Sequence, residues 1–217
     1  MEKGFFSIEI KTQKGDMSNY SYVVIDKKTK KGAVIDPSWE IEKILNEINK
    51  YNVNLEKILI THCHNDHVNL VYELVEKYNA NVYISKEEHD FYGYKSKNLI
   101  TINDKDIITL GDTQIKCILT PGHTKGGMCF LIEDEIFTGD TLFIEACGRC
   151  DLSGGNAEEL FESIRFIKEN IDQNTIIHPG HPYGVGENVT LSELNKRNPY
   201  YKISNKEEFI KFRMRKR

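Results

Sequence analysis

The chain has no apolar run approaching the ~18 residues of a membrane span, so no transmembrane segment is expected. Its opening stretch, Met1-Glu2-Lys3-Gly4-Phe5-Phe6, lacks the apolar h-region of a secretory signal. There is no excess of basic charge either. The formal net charge is −4 with lysine and arginine spread along the chain, which leaves no electrostatic footprint for nucleic acid. Cysteine is sparse and odd in number: Cys63, Cys117, Cys129, Cys147 and Cys150 do not make a disulfide framework, and a reducing, cytoplasmic location is expected. The Cys147-Gly148-Arg149-Cys150 segment has CxxC spacing, but no second cysteine pair for a structural zinc and no strand-to-helix setting for a redox motif. A Gly-x-Ser-x-Gly elbow is also missing, which leaves a serine-hydrolase mechanism without support. No internal repeat, low-complexity tract or Pro/Gly/Ser linker divides the 217 residues, and one domain over 1–217 is expected.

What is present reads as strands with interspersed helices. Strands are expected at Phe6–Ile10, Tyr20–Ile25, Gly32–Pro37, Lys57–Ile60, Ile107–Leu110, Thr113–Leu119, Met128–Glu133, Glu135–Phe137 and Thr175–Ile177. Ile41, Ile44, Leu45 and Ile48 fall on one face of a helix, and a second helix is expected over Asn69–Tyr78. Ser85…Glu88, Asn156…Glu159, Thr190…Glu193 and Asn205…Glu208 carry the spacing of capping boxes. This pattern suggests a sheet-cored sandwich flanked by helices.

The chemistry begins at Thr61-His62-Cys63-His64-Asn65-Asp66-His67, directly after the apolar Ile58-Leu59-Ile60. Three of the chain's seven histidines and a carboxylate crowd into this run, a donor set suited to a first-row divalent metal and not required of a solvated loop. His62 and His64, two apart at a strand end, leave on the same side, and Asp66 and His67 follow where the chain turns. Three later turns add donors beside glycine: His123 in Pro121-Gly122-His123-Thr124, Asp140 in Thr138-Gly139-Asp140-Thr141, and His178 and His181 in His178-Pro179-Gly180-His181.

The order HxHxDH, PGHT, TGDT, PGH resembles the metallo-β-lactamase fold superfamily over nearly the whole chain, and Thr138–Phe143 followed by Ala146-Cys147-Gly148-Arg149 is similar to its glyoxalase II branch. The resemblance implies an α+β, four-layer αββα sandwich with two metals at the edge where the sheets meet. Carried over, His62, His64 and His123 hold one ion, Asp66, His67 and His181 the other, and Asp140 bridges. His178 has no counterpart among the ligands and reads as a strand-end residue. A cysteine in place of Asp140, or a glutamate in place of His64, would have marked other branches. The donors suit zinc, iron and manganese alike, with zinc the first expectation.

The implied activity is hydrolysis of acyl thioesters by a metal-bridging hydroxide, with Asp66 both ligating and orienting it. A thiolate leaves readily, so no strong general acid is needed. For the thiol carrier, Cys147-Gly148-Arg149-Cys150-Asp151 has arginine and aspartate where glyoxalase II keeps lysine and tyrosine for glutathione, while Tyr183 matches a glutathione-contacting tyrosine. The Cys147–Gly155 segment and the tail from Asn198 to Phe212 are more similar to zinc-dependent hydrolases of bacterial polyketide clusters, which act on acyl carrier protein. Arg149, Asp151 and Tyr183 are the expected substrate contacts, and Lys211, Arg213, Arg215, Lys216 and Arg217 suit a pantetheine phosphate or an acidic carrier surface. Alternatives are glyoxalase II itself, a persulfide dioxygenase with one iron, a lactone or β-lactam hydrolase, and a non-catalytic metal-binding scaffold.

Overall fold

The computed structural model describes residues 3–215. In chain order the elements are β1 (Phe5–Lys14), β2 (Met17–Asp26), β3 (Lys31–Ile35), α1 (Ile41–Lys50), β4 (Asn54–Leu59), α2 (Asn65–Val68), α3 (Val71–Tyr78), β5 (Asn81–Ser85), α4 (Lys86–Tyr92) and β6 (Leu99–Ile102). The second half continues with β7 (Ile107–Leu110), β8 (Thr113–Leu119), β9 (Met128–Ile132), β10 (Glu135–Gly139), α5 (Ala157–Asn170), β11 (Ile176–Pro179), α6 (Leu191–Arg197), α7 (Pro199–Lys202) and α8 (Lys206–Arg213). The strands form a six-stranded sheet in the order β1-β2-β3-β4-β5-β6 and a five-stranded sheet in the order β11-β10-β9-β8-β7.

Side-chain alternation along each strand builds the layers. On β2, Tyr22 and Val24 join Phe5, Ile35 and Leu59 against Ile115, Met128, Phe130 and Phe137 of the other sheet, forming the core between the sheets. Val23 and Ile25 face the opposite way, onto Ile44 and Ile48 of α1 and Leu74 and Val75 of α3. The outer face of the second sheet, with Ile118, Cys129, Ile136 and Ile177, is covered by Leu160, Ile164 and Ile167 of α5, Leu194 of α6, Tyr201 of α7 and Phe209 of α8. The result is the helix–sheet–sheet–helix sandwich expected above.

Two departures have physical causes. The helix expected over Asn69–Tyr78 is present as α3 but begins two residues later, at Val71, and a separate single turn, α2, precedes it: the chain breaks at Asn69-Leu70, where Asn69 Oδ1 accepts from the Trp39 N–H and the Leu70 N–H donates to the Pro37 carbonyl. Strands β5 and β6 were not foreseen, because five- and four-residue segments carry little periodicity and exist through parallel pairing with β4 and with each other.

A half-buried ion cluster clasps the sheets. Glu135 on β10 accepts from Ser7 Oγ at 2.6 Å and Lys3 Nζ at 2.7 Å, and lies 3.0 Å from His178 Nε2. Burial works against the charge, but the adjacent His178 and the bonds from Lys3 and Ser7 outweigh it and bring the carboxyl down to about 2. A depressed folded-state value contributes stability that is complete above the ordinary carboxylate range and is lost as pH falls towards about 2. Glu135→Gln is therefore expected to lower the urea midpoint of metal-free protein most at pH 6–7. The gap to wild type should close progressively below pH ~4.5.

Candidate metal centre

All seven expected ligands emerge at one edge of the sandwich because their strands end there. Parallel β3 and β4, paired Ile35 to Leu59, bring Asp36 beside Thr61 and the run that follows. Parallel β10 and β11 bring Asp140 beside Gly180-His181, and the turn between β8 and β9 supplies His123. The Thr61 carbonyl accepts from the Met128 N–H at 2.8 Å, and the Gly180 carbonyl accepts from the Tyr20 N–H at 2.8 Å, so the two sheets are laced together at this edge. Two glycines permit the approach. A Cβ on Gly139 would lie 2.3 Å from Thr61 Oγ1, and one on Gly180 would lie 2.5 Å from Asp140 Oδ1.

The donors fall into two triads, His62/His64/His123 and Asp66/His67/His181, each with ligand atoms within 4.8 Å of one another. Asp140 touches both: Oδ2 is 3.4 Å from His181 Nε2 and 3.5 Å from His123 Nε2, and Oδ1 is 3.4 Å from His67 Nε2. Asp66 Oδ2 lies 3.3 Å from His181 Nε2 and 3.5 Å from His67 Nε2. A tetrahedral site with bonds of 2.0–2.1 Å has edges of about 3.3–3.4 Å, so these spacings fit a zinc-sized ion. Among the described residues, His62 Nε2, His67 Nε2 and Asp140 Oδ1 are buried without a hydrogen-bond partner, which is costly unless a cation takes them. The group fits the residues present.

The opposite ring nitrogens decide the tautomers. His67 Nδ1 meets Asp36 Oδ2 at 2.9 Å, His123 Nδ1 meets the Arg149 carbonyl at 2.8 Å, and His181 Nδ1 meets the Ser18 carbonyl at 2.7 Å. These partners only accept, so each Nδ1 carries the hydrogen and each Nε2 turns to the metal side. His62 Nδ1 faces Thr61 Oγ1 at 3.0 Å, whose own proton goes to Asp36 Oδ2 at 2.6 Å. His64 is the exception, presenting Nδ1 3.0 Å from His123 Nε2.

Electrostatics separates the triads. Burial, and then the neighbouring imidazoles, push His62 well down, and burial followed by His123 brings His64 down to about 4. In the other triad burial is overcome: the Asp140 and Asp66 carboxylates lift His181 to about 11, and Asp140 with Asp36 lifts His67. Asp140 itself, against its own burial, is drawn down to about 2 by His67 and His181.

Asp36 was not singled out by sequence reasoning. It lies within 4.8 Å of His62 and His67 ligand atoms, but Oδ1 accepts from the Thr61 N–H at 2.8 Å and Oδ2 serves Thr61 and His67, which places it behind the candidate ligands to orient them. A carboxylate right after the apolar strand Ala33-Val34-Ile35 shares the strand-end part of the signal that marked Asp140, without its glycine. Asn19 was missed too: its Nδ2 donates to Asp66 Oδ2 at 3.0 Å. His178 stands apart, stacked on Phe137 at 4.6 Å and paired with Glu135.

The triads open into a cavity of about 860 Å³ whose wall includes Phe143, Leu152, Tyr200, Arg213 and Arg215. Arg149, Asp151 and Tyr183 also line it. Arg149 and Asp151 are engaged with each other, Nε to Oδ1 and Nη2 to Oδ2 both at 2.8 Å, and the Tyr183 ring packs 4.9 Å from Phe143 and 5.4 Å from His181. Arg213 Nε donates to the Gly148 carbonyl at 2.7 Å; Lys211 is exposed on α8 outside the cavity wall, and Lys216 and Arg217 lie outside the described residues. Cys147 and Cys150 are free, buried thiols: burial pushes Cys147 far up and Cys150 to about 11, which makes both poor nucleophiles.

Comparison with known proteins agrees with this geometry. The chain is 44% identical, over 95% of its length and 92% of the other's, to "Probable polyketide biosynthesis zinc-dependent hydrolase PksB" of Bacillus subtilis. It is 38% identical to a hydroxyacylglutathione hydrolase of Pelagibacter ubique, over 76% of this chain and 67% of that protein. The crystal structure of ETHE1 from Myxococcus xanthus superposes with a TM-score of 0.83 at 28% identity, over 94% of this chain and 88% of that one. The sequence profile described as "Metallo-beta-lactamase superfamily" matches residues 15–182. With its ligand turns, its sandwich and this match all in agreement, the chain belongs to the metallo-β-lactamase superfamily.

Proposed function

We propose that the chain is a dinuclear zinc-dependent hydrolase of acyl thioesters, and that the acyl group arrives on acyl carrier protein in polyketide biosynthesis. The observation that carries the reading is Asp140 joining two ligand triads beneath a cavity whose wall holds arginines of the carboxyl-terminal arm. The Bacillus relative supplies the biosynthetic setting.

Two divalent ions bound in these triads supply a water acidified towards neutrality and an electrophile for a carbonyl oxygen. The chain's own groups do the rest. Asn19 holds Asp66 Oδ2, which also faces His67 and His181, and leaves Oδ1 to orient the attacking water. Phe143 and Leu152 offer the acyl chain an apolar wall, and the weakly basic thiolate departs without a strong general acid. Arg213 and Arg215 suit a pantetheine phosphate. Charge favours an acidic partner at this end: residues 191–217 hold nine of the 29 basic residues but three of the 33 acidic ones.

The test is a panel of acetyl-carrier protein, acetyl-pantetheine, S-lactoylglutathione and glutathione persulfide, combined with elemental analysis. Two zinc ions and preference for the carrier thioester support the reading. Preference for S-lactoylglutathione, the reading raised by the Pelagibacter relative, overturns its carrier part. One iron with oxygen uptake overturns all of it. Removal of Arg213–Arg217 is expected to raise KM for the carrier thioester about tenfold, the loss of roughly one charge-assisted contact, without changing turnover on a short thioester. Equal KM values for full-length and truncated enzyme dispose of a role for the tail.

A further inference from the structure

Glu88 lies on none of the segments that carry the ligands, yet its side chain is fully buried among them. The spacing Ser85…Glu88 predicts a capping box, in which the carboxylate returns to the Ser85 N–H. Half of that box forms: Ser85 Oγ accepts from the Glu88 N–H at 3.0 Å. The carboxylate goes elsewhere. Its Oε1 accepts from the Cys63 N–H at 2.9 Å and its Oε2 from the Gly126 N–H at 2.8 Å. Ser85 Oγ, for its part, donates to the Gly126 carbonyl.

Cys63 stands between His62 and His64, and Gly126 closes the turn that carries His123. One side chain therefore ties together the two segments bearing one complete ligand triad. The approach is tight: a Cβ on Gly126 would lie 2.1 Å from the Glu88 nitrogen and 2.4 Å from Ser85 Oγ. Burying a carboxylate costs free energy, and here both oxygens are spent on the ligand loops and none on the helix that bears them.

The other triad has different supports. Asp36 orients His67, the Ser18 carbonyl orients His181, and Asn19 holds Asp66. The Asn19 amide is itself fixed by Trp39: the indole N–H, which can only donate, meets Asn19 Oδ1 at 2.9 Å and leaves Nδ2 for Asp66.

We propose that Glu88 is the positioning residue of the His62/His64/His123 site and sets the metal affinity of that site separately from its neighbour. The inference rests on the two-ion reading given above.

The test is zinc titration of the metal-free protein against a chromophoric chelator, with the histidine ring nitrogens followed by NMR. Glu88→Gln keeps length and volume but turns an NH2 towards one of the two N–H donors. Wild type is expected to take two ions. In E88Q one site should weaken about tenfold or more, the loss of roughly one charge-assisted hydrogen bond that holds its two loops together. The His67 and His181 resonances should then respond at low zinc, and those of His62, His64 and His123 only at higher zinc. Ser85→Ala removes the hydroxyl tie to Gly126 and spares the carboxylate; a smaller loss at the same site is expected, and this variant carries the test if E88Q does not fold. Equal weakening of both sites, or affinities unchanged from wild type, overturns the assignment. A wild-type protein that binds a single ion overturns the two-ion reading beneath it, and is recognised before any variant is compared.

Discussion

Asp140→Ala is expected to bring zinc content from two ions towards one and to lower kcat/KM on a thioester by at least about a thousandfold, since an ion's charge stabilisation is worth several kcal/mol. The magnitude follows from where Asp140 sits. Its carboxylate approaches members of both triads, through Oδ2 to His123 and His181 and Oδ1 to His67. On the two-ion reading proposed above, its removal would take a charged donor from beside the second triad and the group that joins it to the first. Elemental analysis after dialysis and steady-state kinetics on acetyl-pantetheine check the two halves separately. Retention of both ions removes the joining role given to Asp140, and retention of substantial turnover breaks the dinuclear assignment.

Asp36→Asn is expected to be nearly as damaging, although the side chain stands behind the candidate ligands and the substitution hardly changes volume. Asp36 Oδ1 accepts from the Thr61 N–H, and Oδ2 accepts both Thr61 Oγ1 and His67 Nδ1. An asparagine that keeps its oxygen on the backbone N–H turns its NH2 towards two groups that are themselves donors. The conflict is relieved if His67 moves its hydrogen to Nε2, which removes the lone pair the metal needs. Metal affinity should fall 10–100-fold at the Asp66/His67/His181 site. An asparagine turned the other way leaves the buried Thr61 N–H unpaired instead, at a cost of about 1–3 kcal/mol in stability. Chelator competition and thermal melting of the metal-free protein distinguish these routes. Wild-type affinity and an unchanged melt together exclude the orienting role.

These two predictions also mark how far the sequence could be read. The ligand turns were legible because each is local: an apolar strand, a glycine or a short polar run, then a donor. Ile58-Leu59-Ile60 before His62, Ile136-Phe137 before Asp140 and Ile176-Ile177 before His181 all show it. Most strands were legible for a similar reason, since burial on one or both faces writes itself into alternation or continuous apolar runs. The short parallel strands β5 and β6 were not, because what makes them strands is a neighbour brought by the fold. Asp36 carried the strand-end part of the signal at Asp140 and went unused, its following proline being read as a strand end. Glu88 carried a misleading signal: the capping-box spacing is real, but the carboxylate found partners 25 and 38 residues away.

The sequence by itself determined the donor set and the class of chemistry, because imidazole and carboxylate groups at strand ends are properties of residue type and local pattern. Only the tertiary structure decided which nitrogen of each histidine faces the ion and which carboxylates bind and which orient. Those choices are made by acceptors far along the chain: Asp36 for His67, the Arg149 carbonyl for His123 and the Ser18 carbonyl for His181. A histidine offers two nitrogens and keeps one hydrogen between them when neutral. Which one is left free for a metal is set by whatever the fold places behind the ring.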